Sequence, residues 1–139
     1  MRAASIFKEW NMPGEYGCEK KMIQEVASVI ARINPEEHRI DDIMTVIAEV
    51  CLNAIEHGNL SNPSLPVTLQ MIADNEKYKF RVLDHGTRKP VIPYEQPLSD
   101  KWKEEHPRGW GLFLIRRLSD RFEFGERDGK VYVDVTFYR

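Results

Sequence analysis

The sequence predicts an α+β fold, with one mostly antiparallel sheet and its helices packed on a single face. Two pairs of strand-like runs carry that expectation: Val67 to Ala73 with Tyr78 to Leu83, and Phe122 to Glu126 with Val131 to Tyr138. Each pair is joined by a short polar connection, "DNEK" or "RDG", of the kind that closes a hairpin. Two segments with helical apolar spacing precede the first hairpin and a third separates the two hairpins, so the strands of each pair follow each other directly. Their natural pairing is antiparallel.

The elements follow in order. Residues 2 to 10 form a first strand, ended by Pro13-Gly14. From Glu15 to Ile33, Met22, Ile23, Val26, Ala27, Val29 and Ile30 recur at helical intervals and define the first helix. Asn34-Pro35-Glu36-Glu37 then places an N-cap, a first-turn proline and acids that complement the helix dipole. The second helix is expected to start there and to run to about His57, with Gly58 as its stop. Ile43, Ile47, Val50 and Ala54 make its inward stripe. After the turn-rich "HGNLSNPSLP" comes the first hairpin. Residues 85–108 contain four prolines and no clean period. A stretch that long without regular structure is commonly a lid or a binding loop, and it is read here as a lid. "GWGLFLIRRLSD" resumes helical spacing with Leu112, Ile115 and Leu118 inward, and the second hairpin closes the chain.

Composition narrows the function classes. At 139 residues the chain fits one domain, residues 1–139, and folding hides roughly two-thirds of the unfolded surface, enough for a core without staples. A net charge of -2, from acids and bases spread along the chain, argues against a basic nucleic-acid surface. With no apolar leader region and no run near the length of a bilayer span, a membrane partner is not expected and the location is read as cytoplasmic. Cys18 and Cys51 lack metal or disulfide spacing; Cys51, inside an apolar helical run, is expected to pack as a small hydrophobe.

The second helix poses the chemical question. At about 100° per residue, Asp42, Glu49, Asn53 and Glu56 fall within about 60° of each other, on a side distinct from the inward stripe and flanked by Val46 and Leu52. Polar groups placed there need partners. Further cues lie along the chain. Asp84-His85-Gly86 ends a strand, so its carboxylate is held on a rigid element and can accept an exocyclic amino proton, while Gly86 lets a flat ring approach the backbone. Gly109-Trp110-Gly111 opens a helix, where first-turn amides favour an anion. Neither a P-loop nor a dinucleotide fingerprint fits: Val131 follows Lys130 where Ser or Thr is required, and Leu114 stands where a third glycine belongs.

In this order, "EVCLNAIEHGN", "VLDHG" and "RGWGLFLIRRLSD" resemble the N box and the two glycine boxes of the GHKL ATPases, the superfamily that includes histidine kinases and gyrase. The nearest likeness is to the bacterial anti-sigma factor serine kinases. The resemblance spans roughly residues 2 to 138 and implies the two-layer sandwich of that superfamily, with ATP and Mg²⁺ bound. By that likeness Asn53 coordinates the metal through its amide oxygen, a hard ligand that suits Mg²⁺. Glu49, one turn earlier, is the general base for a serine hydroxyl. Asp84, Gly86, Arg108, Gly109, Trp110, Gly111 and Leu112 then complete the nucleotide site. His57 and His85 are not assigned direct roles. Two positions depart from the family pattern: Arg88 replaces a second glycine of the first glycine box, and Lys130 follows Gly129 where a Thr is frequent.

The function implied is an ATP-dependent protein kinase that binds a sigma factor and phosphorylates a serine of an anti-anti-sigma (STAS-type) partner. The likeness is also compatible with a homodimer. Two alternatives stand beside it. One is a non-catalytic nucleotide-regulated binding module. The other is the stand-alone ATPase domain of a histidine kinase, for which the sequence lacks a phosphoacceptor His on a preceding helical hairpin.

Overall fold

A computed structural model describes residues 5–58, 62, 64–85 and 110–139. Five strands form one sheet: β1 (Ile6–Pro13), β2 (Pro66–Ala73), β3 (Lys77–Asp84), β4 (Arg121–Arg127) and β5 (Lys130–Tyr138). Their order is β1-β2-β3-β5-β4, and every neighbouring pair is antiparallel. Among the described residues three α-helices accompany the sheet: α1 (Cys18–Ile33), α2 (Ile40–Asn53) and α3 (Trp110–Leu118). The expected α+β layer is therefore present.

Alternation along the strands sorts the sheet into two faces. Tyr78, Phe80, Val82 and Asp84 of β3 are buried, as are Val67, Leu69, Met71 and Ala73 of β2 and Val135 and Phe137 of β5. Against them pack Met22, Val26, Val29 and Ile30 of α1, Ile43, Val46, Ile47 and Val50 of α2, and Ile115 of α3. Each such side chain taken from water stabilises the fold by about 1.5–3 kcal/mol, so this interface dominates cohesion. The other face carries polar ladders, with Glu9 opposite Gln70 and Arg81 opposite Asp134, which in turn faces Glu123, beside the exposed pair Phe7 and Ile72. The "RDG" turn places Asp128 and Gly129 at φ of 53° and 76°, the left-handed pair that a two-residue hairpin turn requires.

The helix boundaries correct the sequence reading. Asn34 does not cap a helix beginning at Pro35. Its backbone N–H closes α1 on the Ile30 carbonyl, and its side-chain amide donates to Glu37 Oε2 at 3.1 Å and Tyr78 Oη at 3.1 Å. Glu37 Oε1 accepts the Arg39 N–H at 3.0 Å, so the chain turns twice before α2 begins at Ile40. These tertiary partners outcompete the local start signal. The first strand is also displaced, running to Pro13 instead of ending near residue 10, because Asn11, Met12 and Pro13 continue the ladder opposite Thr68, Val67 and Pro66. Pro13 closes the edge strand β1 and Pro66 is the first residue of β2, positions at which a proline is tolerated in a sheet.

Candidate functional site

α2 supplies the chemical stripe. Glu49 and Asn53 lie four residues apart, one turn of helix, and both are half-buried. The Glu49 Oε2 atom is closed off from solvent. Val46, Val50 and Cys51 around them are fully buried, so the two polar groups project from an apolar wall. Regular α-helix stops at Asn53, and Ala54–Gly58 forms a π-turn that packs against β3. The wider turn advances each residue by less than the usual angle, so Glu56 drifts off the Glu49–Asn53 line that an uninterrupted α-helix gives it. The predicted end of the helical run at Gly58 is kept, but its last turn is of a different kind.

Asp84 ends β3 on the helix-facing side, only 4% exposed. Strand alternation explains the placement, because Tyr78, Phe80 and Val82 precede it on the same face. His85 consequently projects to the opposite face, where its Nε2 is 2.8 Å from Thr68 Oγ1, whose hydroxyl in turn bonds Asn11 Oδ1. Burial first, and then the Lys130 charge, hold the His85 imidazole below the ordinary histidine range. A neutral ring donating from Nε2 to Thr68, which itself donates to Asn11, satisfies the whole chain.

Trp110, Gly111 and Leu112 form the first turn of α3. Amides of a first helical turn have no partner within the helix and point beyond it. The C-terminal end of α3 is tied to the start of α2 by a bond from Arg39 Nη2 to the Leu118 carbonyl at 3.0 Å, and the two helices pack side by side. They therefore run in opposite senses, and the first turn of α3 lies toward the half of α2 that carries Glu49 and Asn53. Gly86, Arg108 and Gly109, with the rest of the expected lid, lie outside the described residues. So Glu49 and Asn53 on α2, the buried Asp84 at the end of β3, and the backbone of the α3 first turn all belong to the helix-covered side of the sheet.

Among the described residues, no group of three or more His, Cys, Asp or Glu side chains is arranged to hold a metal on protein ligands alone. The Asn53 amide and the Glu49 carboxylate, one turn apart on α2, offer hard oxygens. That set fits Mg²⁺, which commonly takes one or two protein oxygens and completes its shell with phosphates and water.

The family model for the histidine kinase-like ATPase domain matches residues 15–137. The chain belongs to the histidine kinase-like ATPase family. Among curated relatives, the anti-sigma F factor of Anoxybacillus flavithermus is 29% identical over 96 residues, 68% of this chain and 66% of that one. The anti-sigma F factor of a Thermoanaerobacter species is 28% identical over 115 residues, 81% of this chain and 80% of its own length. The aligned part thus spans about two-thirds of the first of these relatives. Of solved structures, the RsbU and RsbW domains of Rv1364c from Mycobacterium tuberculosis match with a TM-score of 0.64 at 19% identity, over 96% of this chain and 33% of that one. The SiaB-SiaC complex from Pseudomonas aeruginosa matches with a TM-score of 0.56 at 15% identity, over 99% and 91% of the two chains. These structural likenesses show a shared fold.

Sequence reasoning overlooked the ties that hold the site elements in place. Arg39 bonds Asp120, 81 residues away, and Thr68 meets His85 across a strand pair. Thr68 and His85 were recoverable from strand alternation once β2 and β3 were paired, whereas nothing local marks Arg39 or Asp120.

Proposed function

We propose that this histidine kinase-like ATPase is an anti-sigma factor kinase: a single domain, residues 1–139, that binds Mg-ATP, holds a sigma factor, and transfers the γ-phosphoryl group to a serine of a STAS-type anti-anti-sigma partner. The observation that carries the reading is the placement of Glu49 and Asn53, one turn apart on α2, on the same side of the sheet as the buried Asp84 carboxylate and the first turn of α3. The anti-sigma F factor names of the relatives support the choice of partners.

In this mechanism the buried Asp84 carboxylate accepts a hydrogen bond from the exocyclic amino group of adenine, and a base that presents no donor there loses that bond. The amides of Trp110, Gly111 and Leu112, with Gly109 and Arg108, hold phosphate oxygens. Asn53 holds the Mg²⁺ ion, which when bound neutralises phosphate charge. Glu49 orients the incoming serine hydroxyl and takes its proton as the new O–P bond forms and the bond to the ADP oxygen breaks. Most of the rate in such a transfer comes from positioning and charge neutralisation rather than covalent help from the protein. Residues 85–108 act as the lid over the nucleotide.

The test is transfer of labelled γ-phosphate to a co-purified STAS-type partner by wild type and Glu49→Gln. The reading predicts labelled phosphoserine with wild type. For Glu49→Gln it predicts a loss of about a hundredfold or more with nucleotide affinity retained, the scale of removing a general base. Undiminished transfer by the variant contradicts the assignment of Glu49, and nucleotide binding without any transfer by wild type favours the non-catalytic module.

A further inference from the structure

Arg39 sits at the first turn of α2, its carbonyl accepting the Ile43 N–H at 3.0 Å, ten residues before Glu49. Its guanidinium reaches out of that helix to a different part of the molecule. Nη1 donates to Asp120 Oδ2 at 2.8 Å and to the Tyr138 carbonyl at 3.4 Å, and Nη2 donates to the Leu118 carbonyl at 3.0 Å. Asp120 Oδ2 also accepts the Tyr138 N–H at 2.7 Å. The Asp120 N–H bonds the Thr136 carbonyl at 2.9 Å, and the Arg39 plane lies over the Phe137 ring at 5.3 Å. One side chain thus joins the start of α2, the end of α3, the turn after α3 and the last residues of β5.

The consequence concerns the direction of α3. At nine residues this helix is only about 13 Å long, and besides its packing along α2 its direction depends on where its ends are held. Two anchors along it can be named. Ile115, 1% exposed among the core side chains, is one of them. The other is the Leu118–Asp120 end, where the guanidinium meets the helix's last carbonyl, a group without a partner inside the helix and at the negative end of its dipole. If that end slips, the helix swings about Ile115, and its first turn moves in the opposite sense relative to Glu49 and Asn53.

We propose that Arg39, with Asp120, is a positioning residue for the nucleotide site. It sets the first turn of α3 against the polar stripe of α2 from the far end of both helices. The inference rests on the reading of that site as a nucleotide site. Arginine is required because a planar fork reaches a carboxylate and a carbonyl together, whereas a lysine ammonium is a single compact point.

The experiment uses the full chain with Arg39→Gln, Arg39→Lys, Asp120→Asn and the Arg39→Gln/Asp120→Asn double variant. Mg-ADP titration calorimetry is run well below each unfolding midpoint, with amide NMR shifts of ligand-free protein read alongside. We expect Arg39→Gln to weaken Mg-ADP binding about five- to tenfold, because misplacing binding groups costs affinity without removing any of them. Arg39→Lys should recover only part of that loss, and the double variant should be no weaker than the worse single one, as for two members of one unit. In the ligand-free variants the amides of residues 110–113 should shift, although they lie at the opposite end of α3 from the lesion. A lower unfolding midpoint with Mg-ADP affinity within about twofold of wild type and unmoved 110–113 amides identifies a purely structural tie and overturns the proposal. Should Arg39→Gln fail to fold, the milder Asp120→Asn decides by the same two readouts. Failure of wild type itself to bind nucleotide overturns the site reading and, with it, the nucleotide role given to Arg39; shifted 110–113 amides then leave only the helix alignment standing.

Discussion

Removing either partner of the Arg81–Asp134 pair should not cost the same, and the structure says which loss is worse. Arg81 donates from Nε to Asp134 Oδ1 at 2.7 Å and from Nη2 to Oδ2 at 2.8 Å, a two-point fork between β3 and β5 on the sheet face away from the helices. The acid side chain is 5% exposed, the arginine side chain 28%. Above the guanidinium lies the Tyr132 ring, 4.2 Å from its centre, and that ring covers Gly125 so closely that a Cβ there would stand 2.5 Å from the phenol oxygen. Arg81→Met keeps the stem that packs under Tyr132 but strands a buried carboxylate. Breaking a buried pair in this way costs about 3–5 kcal/mol, and Lys79, whose Nζ is 3.8 Å from Oδ2, can follow the charge and keep the loss near the lower end, about 3 kcal/mol. Asp134→Asn leaves an acceptor for Arg81, and the arginine can turn toward water, so about 1–1.5 kcal/mol is expected. An Arg81→Met/Asp134→Leu double variant, with both charges gone, should lie within about 1 kcal/mol of wild type. Urea unfolding at constant pH measures all three, with an unchanged denaturant slope confirming that the states compared are the same. Asp134→Asn proving as costly as Arg81→Met would refute the reasoning, because the asymmetry follows directly from which partner is buried.

Other outcomes follow from single groups. Burial and the Lys130 charge lower the folded pKa of His85 below its ordinary 6.5, so the unfolded chain takes up a proton first as pH falls. Stability contributed by the neutral ring is complete above about pH 6.5 and declines below it, and unfolding midpoints between pH 7.5 and about 5 should fall less in His85→Gln than in wild type. The Cys51 thiol is fully buried and pushed up to about 12, by desolvation and then by the Glu19 charge. A thiol reagent at neutral pH should therefore modify the half-exposed Cys18 in the folded protein and reach Cys51 only after denaturation; two thiols reacting at one rate would contradict that burial.

The strands were legible because their signals are local and agree with the tertiary result: β-branched and aromatic residues at period two, closed by turns whose chemistry is explicit, as in Asp128-Gly129. The polar stripe of α2 was legible for the same reason, since Glu49 and Asn53 are separated by one helical turn whatever surrounds them. The start of α2 was not. Asn34, Pro35 and Glu37 spell a helix cap, but Tyr78, 44 residues from Asn34 and 41 from Glu37, draws their side chains into a different network. The π-turn at Ala54–Gly58 was equally hidden, because the sequence keeps an α-helical pattern through it and the packing against β3 decides. Partners distant in sequence, Arg39 with Asp120 and Arg81 with Asp134, leave no periodicity to read. The family likeness supplies the proposed site residues; the ties that hold the elements carrying them come from the fold.

The central claim is that an adenine nucleotide with Mg²⁺ occupies the space bounded by Glu49 and Asn53 of α2, Asp84 of β3 and the first turn of α3. Titration calorimetry of ATP and ADP into the folded protein, with and without Mg²⁺, tests it most directly when Asp84→Asn is run alongside. The account predicts saturable, Mg²⁺-strengthened binding by wild type, weakened about a hundredfold in Asp84→Asn, the cost of about 2–3 kcal/mol for losing a charged acceptor in a buried site. No binding by wild type at millimolar nucleotide, or equal affinity in the two proteins, would contradict it.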